Sequence, residues 1–324
     1  MPCAQRKFGE QFNRSVKSVD NKEKFFTNTW VTAICACICC ALWGSAFPFI
    51  KIGYELFKIN DSGTRILFAG IRFFLAGTFT MTAMCIKNRK LVYPKKENVH
   101  IIFKVSLFQT FLQYMFFYIG LAYTSGVKGS LIDGASVFFA IIISSLIFRQ
   151  EKLTFTKAAA CIIGLAGVTV INLNGLELSV NCGDVCILVS SVAYAVSSVL
   201  IKRYSEYENP VVISGCQFVV GGMGLIILGL LLGGRLETVS AAAVGVLIYL
   251  AFLSAAAYSL WGILLKYNPV SKITVFSFTI QIFGIILSSV MLKNEAAPPF
   301  LNCITALVLI CLGIYLVNRV GDEK

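Results

Sequence analysis

Charge is scarce in this sequence. Only 14% of its 324 residues are Asp, Glu, Lys or Arg, against 57% hydrophobic, and the mean hydropathy is +0.79. A soluble domain carries about a quarter of its residues as charges to cover its surface, so a soluble globular fold is excluded. Histidine is scarcer still. The one copy, His100, stands beside a Lys-rich loop, which excludes a His-cluster metal site. No Walker loop, GxGxxG or HExxH occurs, and no Ser/His/Asp set is visible. A primary pump needs a nucleotide-binding segment, and the stretches between apolar blocks are too short to hold one. No cofactor and no metal is expected. Acidic residues are outnumbered, with a net charge of +12 and a pI near 9.2. In a soluble protein that excess points to nucleic acid. In a chain this apolar it is the Lys and Arg bias of cytoplasmic loops, so no nucleic-acid partner is expected.

What the chain does have is apolar blocks near 20 residues long, the length that crosses about 30 Å of hydrocarbon. After a polar, basic tail over 1–29 they predict spans over Trp30–Gly53, Ser62–Ile86, Ile101–Thr124, Gly126–Phe148 and Phe155–Asn174. The second half predicts Gly183–Lys202, Pro210–Gly233, Ala241–Tyr267, Ser271–Leu292 and Pro299–Asn318. The fold class is therefore all-α, a polytopic membrane protein of ten transmembrane helices. Short connections make neighbours antiparallel. With the N-terminus inside, Lys51, Lys58, Arg65, Lys128, Arg235 and Lys293 fall outside, and Arg72 and Lys104 within spans. The rest of the 28 Lys and Arg fall inside. This places both termini in the cytoplasm. Most of the 12 cysteines sit within apolar blocks, where they pack as small apolar side chains. The CxxC spacing from Cys37 to Cys40 lies mid-span with no histidine near, and Cys182 and Cys186 stand one turn apart at a helix start.

The chain repeats itself. Ser144-Ser145-Leu146-Ile147-Phe148-Arg149-Gln150-Glu151 returns as Ser288-Ser289-Val290-Met291-Leu292-Lys293-Asn294-Glu295. Leu165 to Asn172 matches Cys311 to Asn318, and Phe73 to Gly77 matches Phe218 to Gly222. The two units, 30–174 and 175–320, hold five spans each. Five is odd, so the second unit enters the membrane inverted. Inverted repeats with a site near the midplane are the architecture of secondary carriers.

The segment Ala41-Leu42-Trp43-Gly44-Ser45-Ala46-Phe47-Pro48-Phe49-Ile50-Lys51 resembles the first-helix signature of the EamA family in the drug/metabolite transporter superfamily. Ile71-Arg72-Phe73-Phe74-Leu75-Ala76-Gly77 is similar to that family's second helix. Glu151 and Glu295 match the glutamates closing its fourth and ninth helices, and Gly167 and Gly313 match glycines of the fifth and tenth. The resemblance covers residues 30–318. It implies a cell-membrane protein, ten helices as five plus five inverted, cytoplasmic termini, and export or exchange of amino acids, related metabolites or toxic compounds. The chain departs from the family pattern at Gln150 and Asn294, where glycines are usual, at Ala135-Ser136, where Ser-Pro is usual, and at Asp133, where an uncharged residue is usual.

Arg72 and Asp133 are the sharpest candidates. An ionised side chain facing lipid at mid-helix costs about 2.5–3.5 kcal/mol, so both must face a cavity or a partner. Counted from the outer ends of their spans at about 1.5 Å per residue, their depths agree to a few ångströms. One reading has Arg72 hold a substrate carboxylate while Asp133 holds an amino group or a coupling proton. The other is a structural Arg–Asp pair that never meets solute. Gln109, Gln113, Tyr114 and Tyr118 fall in the third span at i to i+4 steps, so each pair shares a face. Gln281 stands alone in the ninth span. Each amide serves either a hydrated cavity or a neighbouring helix. Gln217 replaces Arg72 in the second unit. Trp43, Tyr194, Tyr258 and Trp261 are aromatics that form a cavity wall or pack helices. Pro48 can kink the first helix or sit harmlessly near its outer end. Ala160, Gly164 and Gly167 form a small-residue face for helix packing or a homodimer contact.

The expectation is a secondary carrier of small polar metabolites working by alternating access, an amino-acid or metabolite exporter with Asp133 as the candidate proton-coupling group. Its partners are a small solute and the lipid bilayer. Two rivals stand beside it: an exchanger of phosphorylated metabolites or nucleotide-sugars, and a membrane-embedded enzyme.

Overall fold

A computed structural model of the chain describes residues 22–124, 129, 132–171, 180–237, 239–292 and 299–321. Glu295, Lys128 and Lys293 lie outside the described residues, as do parts of the expected tail and of the fourth and fifth spans. Every regular element among the described residues is helical, with no strand. The main helices in chain order are α1 (Thr29–Phe57), α2 (Ser62–Asn88), α3 (Lys96–Gly120), α4 (Ile132–Ile147) and α5 (Phe155–Ile171). They continue as α6 (Cys182–Tyr204), α7 (Pro210–Leu231), α8 (Ala241–Tyr267), α9 (Val270–Met291) and α10 (Phe300–Gly321). Eight are long and apolar enough to cross a membrane, and α4 and α5 are shorter apolar helices.

Helix starts follow from side chains that accept the orphan N–H groups of a first turn. Asn28 accepts from Trp30 and Val31, Asp61 from Thr64 and Ser240 from Ala243. Asn181 and Asp184 close a reciprocal capping box on α6. Asn209 caps α7 just before Pro210, whose missing N–H costs nothing at a first helical position.

The surface is apolar and the interior holds the polar groups. Phe155, Phe252, Val290, Phe300, Leu301 and Tyr315 are exposed, whereas Arg72, Gln109, Gln217 and Gln281 are buried. That arrangement suits a bundle whose solvent is lipid. Without a hydrophobic drive between helices, association in lipid relies on close packing, and α2 against α7 is the most extensive pair in the molecule. A Cβ added to Gly70 would stand 2.6 Å from the Ile226 nitrogen, and one on Gly77 2.6 Å from the Val219 nitrogen. From the other side, a Cβ on Gly222 would stand 2.5 Å from the Phe74 nitrogen and one on Gly229 2.6 Å from the Leu67 nitrogen. Backbone lies on backbone along this seam. α5 and α10 pack in the same way, with a Cβ on Gly313 falling 2.8 Å from the Ala160 oxygen and one on Gly167 3.0 Å from the Ala306 oxygen. The small face of α5 is thus covered by α10 and by the Phe278 ring over Gly164, inside one chain. α1 lies against α8 and α9, and α6 against α3 and α4.

Glu151, just past α4, ties three elements together. Its carboxylate accepts from Ser144 Oγ at 2.6 Å, Lys157 Nζ at 2.6 Å and the Ser271 N–H at 3.0 Å, and also from Ser271 Oγ. The Glu151 and Lys157 side chains are 7% and 8% exposed. Beside it, Gln150 Nε2 donates to the Val199 carbonyl on α6 at 3.2 Å. The ends of α4 and α5 are thereby fixed to the first turn of α9 and to α6.

Two outcomes follow for thermal unfolding of the purified protein in detergent. Gly222→Leu overpacks the seam and should destabilise by at least about 1–3 kcal/mol, whereas Gly245→Leu, at a helical glycine with nothing within 4 Å, should leave the midpoint unchanged or raise it, since leucine is the better helix former. Glu151→Ala leaves the Lys157 ammonium buried and unpaired, a loss of about 3–5 kcal/mol. A wild-type midpoint for Glu151→Ala would show that the cluster holds nothing together.

Candidate functional site

A cavity of about 140 Å³ opens among α1, α2, α3, α4, α6, α8 and α9. A cavity of about 150 Å³ holds a benzene-sized molecule, so the space suits a small solute. Its surface is mostly apolar and aromatic, with a few polar groups converging on it, the usual composition of a small-molecule site.

Of the sequence candidates, Trp43, Arg72, Gln113, Tyr114, Asp133, Tyr194, Tyr258 and Gln281 line this cavity. α2 delivers Arg72, α4 delivers Asp133, and α9 delivers Gln281. Arg72 is 2% exposed. Its Nε donates to Ser254 Oγ on α8 at 3.1 Å, and its guanidinium lies 5.1 Å from the Phe73 ring centre. Ser254 donates onward to the Leu250 carbonyl at 2.8 Å, so its oxygen is turned to accept from Arg72. Asp133 has a weaker hold on the protein. Ser191 Oγ reaches its Oδ1 only at 3.5 Å and lies closer to the Ile187 carbonyl, at 3.0 Å. Hydrogen bonds weaken steeply at such lengths. Among the described residues no ion pair joins Arg72 to Asp133. The cavity therefore presents a cation and an acid that have not neutralised each other, in surroundings where charge interactions are stronger than in water.

Aromatic rings build the wall around them. Trp43 meets the Tyr258 and Trp261 rings edge-on, each at 4.9 Å between centres. Tyr114 packs on Phe73 at 4.2 Å, and its hydroxyl bonds that of Tyr258 at 2.5 Å. Trp43 Nε1 and Gln113 Oε1 are buried without a protein hydrogen-bond partner. A buried polar group left unpaired costs about 1–3 kcal/mol, so both are left with unmet hydrogen-bonding capacity. Pro48 lies inside α1, and lacking an N–H it leaves the Gly44 carbonyl without its helical donor.

Two candidates fall outside the cavity wall. Trp261 stands behind Trp43 and is 1% exposed. Gln109 is 1% exposed and sits in a π-helical stretch, Ser106–Leu112, of α3. An i to i+4 step in a π turn still spans about one turn, so the two amides differ in what packs around them: Gln113 lines the cavity and Gln109 does not. Tyr114 and Tyr118, beyond that stretch, do share a face, with ring centres 6.3 Å apart. Cys39 and Cys40 direct their thiols to the carbonyls of Ala257 and Phe276, at 3.5 and 3.3 Å, and so serve helix contacts.

The model of the EamA-like transporter family matches residues 30–173 and again residues 181–319. The chain belongs to the EamA-like transporter family. It is a multi-pass membrane transporter. Similar proteins include an uncharacterized transporter of Archaeoglobus fulgidus, 27% identical over 86% of this chain and 95% of the relative. The uncharacterized transporter YvbV of Bacillus subtilis is 24% identical over 89% of this chain and 91% of its own. The chloroplastic WAT1-related protein At3g02690 of Arabidopsis thaliana is 24% identical over 85% of this chain and 66% of its own. A solved crystal structure shares the fold with a TM-score of 0.71 at 18% identity, covering 90% of this chain and 99% of that one.

In this EamA-like chain the cavity also takes in residues that sequence reasoning passed over. Phe47 and Ile50 come from α1, Phe117 from α3, and Ser277 and Phe278 from α9. Ser277 stands where Asp133 falls when Ser288 is laid on Ser144, so the repeat itself pointed to it. Ser254, the anchor of Arg72, carried no signal of its own.

The missing ion pair has a measurable consequence. A structural Arg–Asp pair loses about 3–5 kcal/mol when one partner is neutralised. Here Asp133→Asn should leave the unfolding midpoint unchanged or raise it, because it removes a half-buried acid with little protein support. A clear fall would mean that Arg72 and Asp133 do hold each other.

Proposed function

We propose that this EamA-like protein is a secondary transporter of small zwitterionic metabolites of the amino-acid kind, working by alternating access. Arg72 binds the carboxylate of the solute, and Asp133 binds its amino group or carries the coupling proton. The observation that carries this reading is a buried cation and a half-buried acid facing one small cavity without pairing. A charge-assisted bond to a carboxylate is about twice as strong as a neutral one, and the low dielectric favours a solute that brings both opposite charges. Trp43 Nε1, Gln113 and Gln281 supply further polar contacts, and the rings of Tyr114, Tyr194 and Tyr258 exclude water.

The architecture we infer is two inverted five-helix units, 30–174 and 175–320, in the cell membrane with both termini in the cytoplasm. The two stretches matched by the family model support the duplication. So does the pattern of helix contacts. The pairs α1 with α8 and α1 with α9 correspond to α6 with α3 and α6 with α4, while α2 with α7 and α5 with α10 are self-corresponding. The Lys and Arg excess on the N-terminal side supports the orientation. An exchanger of phosphorylated metabolites fits less well. Arg72 is the one cation among the described lining residues, and Asp133 repels a phosphate dianion.

Uptake into proteoliposomes tests the proposal, using a mixed pool of labelled amino acids and organic anions with and without a pH gradient. Amino acids should accumulate with wild type. Arg72→Gln should lower uptake about tenfold or more, and Asp133→Asn should abolish dependence on the gradient. Wild-type uptake by both variants would remove these two residues from the site.

A further inference from the structure

Two buried amides have no role in the cavity just described. Gln217 on α7 is 0% exposed, and its Nε2 has no partner. Gln109 on α3 is 1% exposed, and its Oε1 has none. Between them in chemistry stands Thr110, fully buried, whose hydroxyl donates to Gln217 Oε1 at 2.5 Å. A Cβ on Gly221 would meet Thr110 Cβ at 2.5 Å, so a glycine on α7 lets this turn of α3 come close. Neither Gln109 nor Gln217 reaches the cavity. Each unpaired atom carries a burial penalty, and such groups in a native interior call for an explanation.

The explanation lies in a correspondence of contacts. Arg72 Nε bonds Ser254 Oγ across α2 and α8, and Gln217 Oε1 bonds Thr110 Oγ1 across α7 and α3. Phe73 packs on Tyr114 at 4.2 Å, and Phe218 on Tyr258 at 4.9 Å. The two tyrosine hydroxyls bond each other, and the two phenylalanine rings stack at 5.1 Å. Farther out, Ser191 Oγ reaches the Ile132 carbonyl at 3.4 Å and Cys40 Sγ the Phe276 carbonyl at 3.3 Å. Laid on one another by the sequence repeat, the members of each pair coincide. The polar centre is present twice, once open to the cavity around Arg72 and once shut around Gln217.

We propose that Gln217, Thr110 and Gln109 form a second subsite for the zwitterionic solute, Gln217 taking its carboxylate and the Gln109 oxygen its amino group, closed in this conformation and opened when the two halves exchange arrangements. The inference rests on the alternating-access reading of two inverted halves, and adds that when the halves exchange arrangements the groups shut in one become the open ones. The chemistry gives the subsite its task. Gln217 Nε2 can donate to a carboxylate while the Thr110 hydroxyl holds the amide by its oxygen, but without a charge the amide holds it more weakly than a guanidinium does. Arg72 is the capture station and Gln217 the release station.

Two measurements on the full-length protein in liposomes test this. The first follows net flux of a radiolabelled mixture of L-amino acids through wild type and Gln217→Arg, with binding of the same mixture measured alongside. A second guanidinium should trap the solute and slow net flux about tenfold while leaving binding intact. The second uses Gln217→Cys and Ser136→Cys with a membrane-impermeant maleimide, read by peptide mass spectrometry. Ser136 lines the open cavity, so Ser136→Cys should be modified from one face, and Gln217→Cys from the opposite face once the mixture is turning over. Wild-type flux through folded Gln217→Arg overturns the subsite. So does Gln217→Cys that stays unmodified during turnover, or that reacts from the same face as Ser136→Cys. If Gln217→Arg does not fold, the labelling arm decides alone. If wild type itself moves no label, the transport reading of the cavity falls, whatever happens at position 217.

Discussion

The molecule depends on the contact between α2 and α7. In lipid, apolar side chains gain nothing by leaving the solvent, so helices hold together only where they fit closely. Gly70, Gly77, Gly222 and Gly229 bring two backbones into direct contact, each glycine facing the main chain of the other helix. The consequence reaches the cavity. Arg72 on α2 and Gln217 on α7 sit within a turn or two of these glycines, on faces turned toward α8 and α3. A bulkier seam would separate the two helices, move Arg72 relative to Ser254, and open the stack of Phe73 on Phe218 at the centre of the bundle.

A second constraint acts at the end of the bundle where α4 stops. α4 and α9 both line the cavity, through Asp133 and Val137 on one and Ser277 to Gln281 on the other. Near the Glu151 end they are tied by its hydrogen bonds to Ser271. The cavity residues of α9 lie beyond Ser271 along the helix, so separating α4 from α9 at that end requires the Glu151 cluster to break. A buried carboxylate with several donors is expensive to leave unpaired, which on the alternating-access reading proposed above makes it a suitable closure for one of two alternative states.

Much of this was legible in the sequence, and the reasons it was legible are specific. Apolar blocks of membrane length set the helices within a few residues, because lipid leaves no other way to satisfy the backbone. α8 over Ala241–Tyr267 coincides with the expected span. Equal depth counted from helix ends brought Arg72 and Asp133 to one cavity. That Gln109 misses the cavity was not legible, since a buried amide reads the same in sequence whether it meets a cavity or a neighbouring helix, and the π-helical stretch at Ser106–Leu112 has no signature in residue type. Which of its two readings holds for Trp261 was not legible for another reason. Two aromatics on neighbouring helices stack in layers, and the sequence does not say which layer meets the cavity. Ser254 and Thr110 were invisible as well, because a hydroxyl inside a helix usually bonds its own backbone, and only the packing of α8 on α2 and α3 on α7 gave them side-chain partners.

The asymmetry between Arg72 and Gln217 carries the argument furthest. On the architecture proposed above, a duplicated, inverted scaffold has two arrangements of nearly equal energy, because most contacts made in one state are remade by the other half in the second. Equal energy is what a carrier needs, since shifting a two-state equilibrium from 1:99 to 99:1 requires about 5.5 kcal/mol of differential binding, more than a few contacts to a small solute supply. Each place where the halves differ then biases the cycle. Arg72 against Gln217, and Asp133 against Ser277, put both charges on the first unit and neutral groups on the second. A solute carrying opposite charges therefore meets its strongest contacts in one state and weaker ones in the other. On the reading proposed here, the near symmetry of the fold lets the transporter switch, and the broken symmetry of its polar groups makes capture and release different events.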